Sequence, residues 1–151
     1  MGQLNIPKGS KVYLDTAPII YSVEKNPAYI DLTLQIWTLL DAGDIEVVTS
    51  ELTLLETLVQ PLRNSDDDLV KAYEELLTDS LVKSLPITID IIRSSASLRA
   101  NLNFKTPDAL HAASALASGC DILIANDDIF RRTPGIQILI LGDHVNPVDL
   151  K

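Results

Sequence analysis

Short runs of aliphatic and β-branched residues alternate along the chain with longer segments whose apolar residues recur at every third or fourth position. The short runs are typical of buried parallel strands, and the longer spacing is typical of helices that pack on one face. The runs predict five strands, over residues 11–15, 45–49, 82–86, 121–125 and 136–141. Helices are predicted over about 16–24, 27–41, 88–102 and 106–118, with two more that begin at Ser50 and near Asp66.

This alternation of strands and helices predicts an α/β fold. Right-handed crossovers place helices on both faces of a parallel sheet, so the expected architecture is a three-layer α/β/α sandwich with a mainly parallel five-stranded sheet. The 151 residues, of which 46% are hydrophobic, suit one domain with one core. We therefore expect residues 1–151 to form a single domain.

Several predicted helices carry apolar stripes that are expected to face the core, among them the helix over 88–102 and the one that begins at Ser50. On the helix over 88–102 the stripe consists of Ile91, Ile92 and Leu98. On the helix that begins at Ser50 it consists of Leu52, Leu55, Val59 and Leu62. Glu56 lies inside this second stripe, and burial of an unpaired carboxylate costs several kcal/mol. Glu56 is therefore expected to have a cation, a protonated partner or a polar cavity beside it.

Composition and charge narrow the range of functions. A single cysteine, Cys120, excludes an internal disulfide and a cysteine-based zinc site, which fits a reducing compartment. With 12 Lys and Arg against 21 Asp and Glu, the net charge of −9 repels polyanions, so any nucleic-acid activity must rest on a local feature. No apolar run approaches the ~20 residues that span a bilayer, and the first residues lack the apolar stretch of a signal peptide. We expect a cytoplasmic protein without a membrane partner.

The usual motifs of nucleotide binding and nucleophilic catalysis are missing from the sequence. It contains no GxGxxG, no GxxxxGK[ST] and no GxSxG, and it has only two histidines, His111 and His144. Carboxylates remain as the candidates for chemistry. In a doubly wound sheet, ligands bind beyond the carboxyl ends of the strands, where Asp15 and Asp127 are predicted to lie. Asp108 lies in the first turn of its predicted helix.

The candidate site therefore consists of Asp15, Glu56, Asp108 and Asp127. If these side chains converge, each carboxylate raises the pKa of its neighbours, and the cluster stays ionised near neutral pH only with a compensating cation. Oxygen ligands favour Mg²⁺ or Mn²⁺ over zinc. The chemistry that such a site supports is metal-assisted phosphoryl transfer or hydrolysis.

Four segments of the sequence resemble the acidic motifs of the PIN-domain nucleases in their order and spacing. They are YLDT over 13–16, TLLE over 53–56, TPDALHAA over 106–113 and NDDIF over 126–130. The resemblance covers about residues 12–141. The compact size of the chain is similar to that of the VapC-type toxins of prokaryotic toxin–antitoxin pairs.

The resemblance implies a PIN-like sandwich and an endoribonuclease that uses Mg²⁺ or Mn²⁺ to hydrolyse RNA phosphodiester bonds. It implies that Asp15, Asp108 and Asp127 bind the metal, and that Glu56 is a further catalytic acid that binds the metal directly or through water. His111 is expected to lie in the core or behind the site rather than to touch the substrate. Three basic residues flank two of the motifs and are expected to meet the RNA backbone: Lys105, Arg131 and Arg132.

A toxin of this family implies two protein partners, an antitoxin that fills the acidic groove with a helix or strand and a second copy in a homodimer. The chain also departs from the family at Ala17 and Ala125, where a hydroxyl or amide side chain is usual. Thr16, Thr49, Ser50 and Asn126 are candidate substitutes. These departures leave open a degenerate PIN domain that acts as a non-catalytic binding scaffold. A Mg²⁺-dependent phosphatase or receiver domain fits less well, because no DxDxT motif follows the first strand.

Overall fold

All five apolar runs form strands in the computed structural model, which describes residues 2–145. The strands are β1 (Lys11–Leu14), β2 (Glu46–Ser50), β3 (Lys83–Leu85), β4 (Ile122–Ala125) and β5 (Gln137–Ile140). They form one sheet in the order β3-β2-β1-β4-β5, and every neighbouring pair is parallel. The predicted five-stranded parallel sheet is confirmed, and β3 lies at its edge as its short polar sequence indicates.

Within residues 2–145, six helices accompany the strands of this sheet. They are α1 (Thr16–Val23), α2 (Ile30–Asp41), α3 (Glu51–Arg63), α4 (Asp67–Thr78), α5 (Ile89–Leu102) and α6 (Thr106–Ala117). The start of α2 lies three residues later than predicted because Asn26 organises a turn before it. The Asn26 side-chain oxygen accepts from the Ala28 N–H at 2.9 Å, and its carbonyl accepts from the Ile30 N–H at 2.8 Å.

The sheet separates two apolar layers, which confirms the three-layer sandwich. Val12 and Leu14 of β1 point into the layer built with α1, α2 and α4. Tyr13 points to the opposite side, where α5 and α6 pack with many alanines. Because both faces of β1 and β4 are covered, β4 is apolar and buried at every position, and so is β1 after Lys11. None of the described helices is long and apolar enough to cross a membrane.

The predicted inner face of α3 is wrong. Leu55, Val59 and Leu62 are 62%, 39% and 61% exposed, whereas Thr53 and Thr57 are buried. These threonines satisfy their hydroxyl groups locally, since Thr53 shares a hydrogen bond of 2.7 Å with Thr49 and Thr57 donates to the Leu54 carbonyl at 3.1 Å. Small hydrogen-bonded side chains therefore take the inner positions of α3 and leave a stripe of large apolar side chains on the surface.

A smaller correction concerns α5. Ile91 and Leu98 are buried as predicted, but Ile92 is 49% exposed. Ser95 takes the inner position, and its hydroxyl donates to the Ile91 carbonyl one turn earlier at 2.7 Å. A serine that bonds back to its own helix buries no unsatisfied group, so it allows the close approach of α6.

Candidate functional site

The predicted site residues lie around the carboxyl edge of the sheet, where the direction of strand order reverses between β1 and β4. Asp15 follows β1 directly, and Asp127 lies two residues after the end of β4. Glu56 is on α3, which begins at the end of β2, and Asp108 is in the first turn of α6. Ligands of open α/β sheets bind at such a switch point, because the loops on either side diverge there.

Asp15 is buried, with 9% of its surface exposed. Although it occupies the N-cap position of α1, its carboxylate makes no capping hydrogen bond. Burial raises the pKa of Asp15 to about 6, since the nearby His111 only partly offsets the loss of hydration and the charges of Glu56 and Asp108 add to it. A nearby positive charge would stabilise the ionised form of Asp15 and lower this pKa.

His111 is the residue that joins the buried part of the site. Its ring is 1% exposed and lies between β1, α1 and α3. Nδ1 is 2.7 Å from the Tyr13 hydroxyl, and Nε2 is 2.7 Å from Oε1 of Glu56 and 3.4 Å from Oδ1 of Asp15. The sequence placed His111 behind the site, and its buried position agrees with that. Its bridging of Tyr13 to Glu56 has no signal in the sequence.

Glu56 is held from two directions. The Thr16 hydroxyl donates to Oε1 at 2.8 Å, and His111 Nε2 lies against the same oxygen. Partial burial opposes ionisation of Glu56, but these two hydrogen bonds outweigh it and lower the pKa of the carboxyl group. The pKa values of the two acids therefore shift in opposite directions, down for Glu56 and up for Asp15. Such a separation is typical of sites in which two carboxyl groups have distinct acid and base roles.

Asp108 and Asp127 form the more open part of the site. Burial raises the pKa of Asp108, and the negative charge of Asp127 raises it further. Asp127 is exposed, and its Oδ1 accepts from the Ile129 N–H at 3.0 Å at the start of a 3₁₀ turn (Asp128–Arg132). One carboxylate oxygen of Asp127 therefore stabilises the turn that carries it.

The chemistry of these donors fits a hard divalent cation. Over residues 2–145, none of the four carboxylates forms an ion pair with lysine or arginine. Within the same range, no three His, Cys, Asp and Glu side chains are already arranged to hold one ion. Mg²⁺ keeps several waters and takes one or two protein carboxylates directly, so it does not require such a closed arrangement.

The polar residues around the site have structural partners of their own. Asn126 donates to the Tyr21 hydroxyl at 3.0 Å and accepts from the Gly142 N–H at 2.8 Å, so it ties the end of β4 to its surroundings. Thr49 donates to the Leu14 carbonyl at 2.7 Å, and Ser50 caps α3. Of the four candidate substitutes for the missing hydroxyl groups, Thr16 is the one whose side chain bonds to a site carboxylate.

The basic residues near the site also differ from one another. Arg131 forms ion pairs with Asp128 at 2.9 Å and Asp143 at 2.6 Å, so its charge is already neutralised. Arg132 is exposed and donates to the Leu102 carbonyl at 3.2 Å. Lys105, just before α6, is exposed and lowers the pKa of Asp108 in opposition to its burial. Lys105 and Arg132 therefore remain the better candidates for a phosphate backbone.

Several solved structures share this fold. VapBC2 from Rickettsia felis, bound to a DNA fragment from the promoter, is 18% identical over 86% of this chain and 98% of that chain, with a TM-score of 0.68. VapC20 from Mycobacterium tuberculosis, a sarcin-ricin loop cleaving toxin, is 17% identical over 83% of this chain and 97% of that one, with a TM-score of 0.68. VapBC-1 from nontypeable Haemophilus influenzae is 21% identical over 87% and 98%, with a TM-score of 0.66.

Sequence comparison gives the family itself. No curated protein is significantly similar to this chain in sequence. The family model of the PIN domain, however, matches residues 12–136, which include all four acidic motifs from Asp15 to Asp127. Since this match covers most of the chain, the chain belongs to the PIN domain family.

Proposed function

We propose that this protein is an endoribonuclease that hydrolyses RNA phosphodiester bonds with Mg²⁺ or Mn²⁺, and that it is the toxin of a toxin–antitoxin pair. The observation that carries the proposal is the buried Asp15 beside the hydrogen-bonded Glu56, at a sheet edge where no lysine or arginine neutralises either carboxylate among the described residues. A divalent cation would stabilise these carboxylates most, and the same cation would neutralise the charge of a bound RNA phosphate.

Each acidic residue has a distinct part in this proposal. Asp15, Asp108 and Asp127 would hold the cation, which supplies charge neutralisation and a bound water of lowered pKa. Glu56 has Oε1 occupied by Thr16 and His111, while Oε2 has no hydrogen bond within residues 2–145. That free oxygen would orient the attacking water. The water oxygen would bond to phosphorus and release one proton to solvent as the bond to the 3′ oxygen breaks. The 3′ oxygen would take up a proton from solvent, which leaves 5′-phosphate and 3′-hydroxyl ends.

The structural relatives support the substrate class and an antitoxin partner. VapC20 is described as a sarcin-ricin loop cleaving toxin. A toxin–antitoxin complex from Klebsiella pneumoniae is 20% identical over 86% of this chain and 97% of that chain, with a TM-score of 0.65. The exposed stripe of α3, formed by Leu55, Val59 and Leu62, is the kind of surface that a protein partner covers. We include in the proposal an antitoxin, a homodimer, a single PIN domain over residues 1–151 and a cytoplasmic location.

The test is cleavage of total RNA with Mn²⁺, Mg²⁺ or EDTA by the wild type and Asp15→Asn from matched preparations. We expect metal-dependent cuts from the wild type and none from Asp15→Asn. Asp90→Asn is the matched control. Asp90 is an exposed acid on α5 that forms an ion pair with Arg93, and it belongs to none of the four acidic motifs. Equal cleavage by Asp15→Asn would contradict the site.

A second candidate function is a degenerate PIN domain that binds a partner without catalysis. It is favoured by Ala17 and Ala125, where a hydroxyl or amide side chain is usual in the family, and by the net charge of −9. This candidate predicts that folded wild-type protein, free of antitoxin and supplied with metal, cuts no RNA. Isothermal titration with Mn²⁺ separates the two further, since the scaffold requires no metal binding at Asp15.

A further inference from the structure

We propose that Tyr13 and His111 form a buried strut that positions the Glu56 carboxylate for catalysis. The strut crosses the molecule from β1 through α6 to α3, with 2.7 Å between the Tyr13 hydroxyl and His111 Nδ1 and 2.7 Å between His111 Nε2 and Glu56 Oε1. The proposal rests on the proposed nuclease function only for its effect on cleavage. Tyr13 and His111 are positioning residues, because they act through Glu56.

The direction of the hydrogen bonds follows from their chemistry. A carboxylate oxygen only accepts hydrogen bonds, so Nε2 of His111 must carry the proton that faces Glu56. The Tyr13 hydroxyl can either donate or accept, so it satisfies Nδ1 on the opposite edge of the ring. Because both ring nitrogens are held, the imidazole is fixed in the orientation that directs Nε2 at Glu56.

The surroundings of the strut indicate a role beyond packing. Tyr13 and His111 are almost fully buried, and the helix that carries His111 otherwise faces the sheet with alanines such as Ala109 and Ala112. Two apolar side chains would fill this layer without any polar group to satisfy, and such paired replacements are often neutral for stability. The polar pair is therefore best explained by the carboxylate that it holds.

The test uses four proteins: the wild type, Tyr13→Phe, His111→Leu and the double variant. From the effect of removing residues that orient a metal site, we expect His111→Leu to lower kcat by about 10- to 100-fold with little change in KM. Tyr13→Phe should cost less, about 3- to 10-fold, and the double variant should match His111→Leu because Tyr13 acts through the histidine. Additive losses, or a His111→Leu variant with wild-type kcat, would overturn the strut.

Two further variants separate positioning from general packing. His111→Gln keeps an N–H donor near the place of Nε2, and we expect it to recover most of the kcat that His111→Leu loses. Tyr73→Phe is the matched control, since it also removes a buried tyrosine hydroxyl, one that donates to Glu24 on the other side of the sheet. It should leave kcat unchanged. A purely structural role predicts that His111→Gln fails to recover activity.

Nitrogen-15 NMR of the histidine rings tests the strut without any cleavage assay. In metal-free protein, we expect Nε2 of His111 to carry a proton that is held in the hydrogen bond to Glu56. An unprotonated Nε2 would overturn the strut whatever the enzyme does. If a protonated Nε2 is found in a protein that cuts no RNA, the strut stands and the proposed nuclease function fails, so the two failures are distinguishable.

Discussion

The two halves of the acidic site are built on opposite principles. Asp15 and Glu56 lie against His111 and Thr16, and Oε1 of Glu56 is hydrogen-bonded by both of these neighbours. Asp108 and Asp127 are more exposed than Asp15, and within residues 2–145 neither is hydrogen-bonded by His111 or Thr16. Burial raises the pKa of Asp108, and repulsion from the charge of Asp127 raises it further. The half around Asp15 and Glu56 is held in place by hydrogen bonds within the protein, whereas the half around Asp108 and Asp127 is stabilised only when a cation binds.

The largest expected effect comes from breaking the open half. Asp108→Asn should reduce RNA cleavage to the background of the EDTA reaction, because a carboxamide neither neutralises nor orients a hard cation as a carboxylate does. In metal-free buffer the same variant should unfold at an equal or higher temperature than the wild type, since the repulsion from Asp127 is removed. Cleavage assays and thermal unfolding on one preparation measure both. A variant that cuts at the wild-type rate would remove Asp108 from the site.

The buried half should reveal itself in the pH dependence of stability. The pKa of Asp15 is about 6 in the folded protein, above the ordinary 3.8, so the folded state binds this proton more tightly than the unfolded state. The contribution of Asp15 to stability is therefore greatest at low pH and declines as the pH rises from about 4 through about 6. The expected loss is about 3 kcal/mol in metal-free buffer.

Asp15→Asn isolates this contribution, because asparagine does not titrate. The difference in unfolding free energy between wild type and Asp15→Asn, from urea titrations at pH 4, 5, 6 and 7, should move in favour of the variant as the pH rises. A difference that is constant with pH would mean that Asp15 is hydrated in the folded state.

Metal binding should stabilise the folded protein through carboxylates of both halves of the site. Mg²⁺ or Mn²⁺ at about 100 times its dissociation constant stabilises a folded protein by about 2.7 kcal/mol, which is roughly 5–10 °C in Tm for a chain of this size. We expect this rise in the wild type at neutral pH and a much smaller rise in Asp108→Asn. Calorimetry with Ca²⁺ and with NaCl of equal ionic strength controls for general screening. An equal rise in both proteins would place the binding elsewhere.

The smallest expected effect concerns the exposed stripe of α3, which lies on the same helix as Glu56 but faces away from the sheet. Leu55→Ser should change the unfolding free energy by no more than about 0.5 kcal/mol, because Leu55 is already mostly in water. If the stripe is the homodimer surface, the same substitution should shift the protein toward monomer in light scattering. Glu51→Ser, an exposed change at the start of α3, is the control.

The two halves of the site also differ in how much of them can be predicted from the sequence. Strand and helix positions could be predicted to within a few residues, since β-branched runs and helical spacing are local properties that burial on both sheet faces reinforces. The four acidic positions could be predicted through strand ends and the order of the motifs. The apolar stripe that singles out Glu56 in the sequence is the wrong physical reason, however, because Leu55, Val59 and Leu62 of that stripe are exposed.

What the sequence determined by itself was the alternation of strands and helices, the acidic edge of a parallel sheet and the family motifs. The tertiary structure decided which face of α3 is buried, because the Thr53 hydroxyl finds its partner only when Thr49 of β2 lies beside it. It also decided the partners of His111. Tyr13 and Glu56 are far from His111 along the chain, and only the packing of β1, α3 and α6 brings them within hydrogen-bond distance.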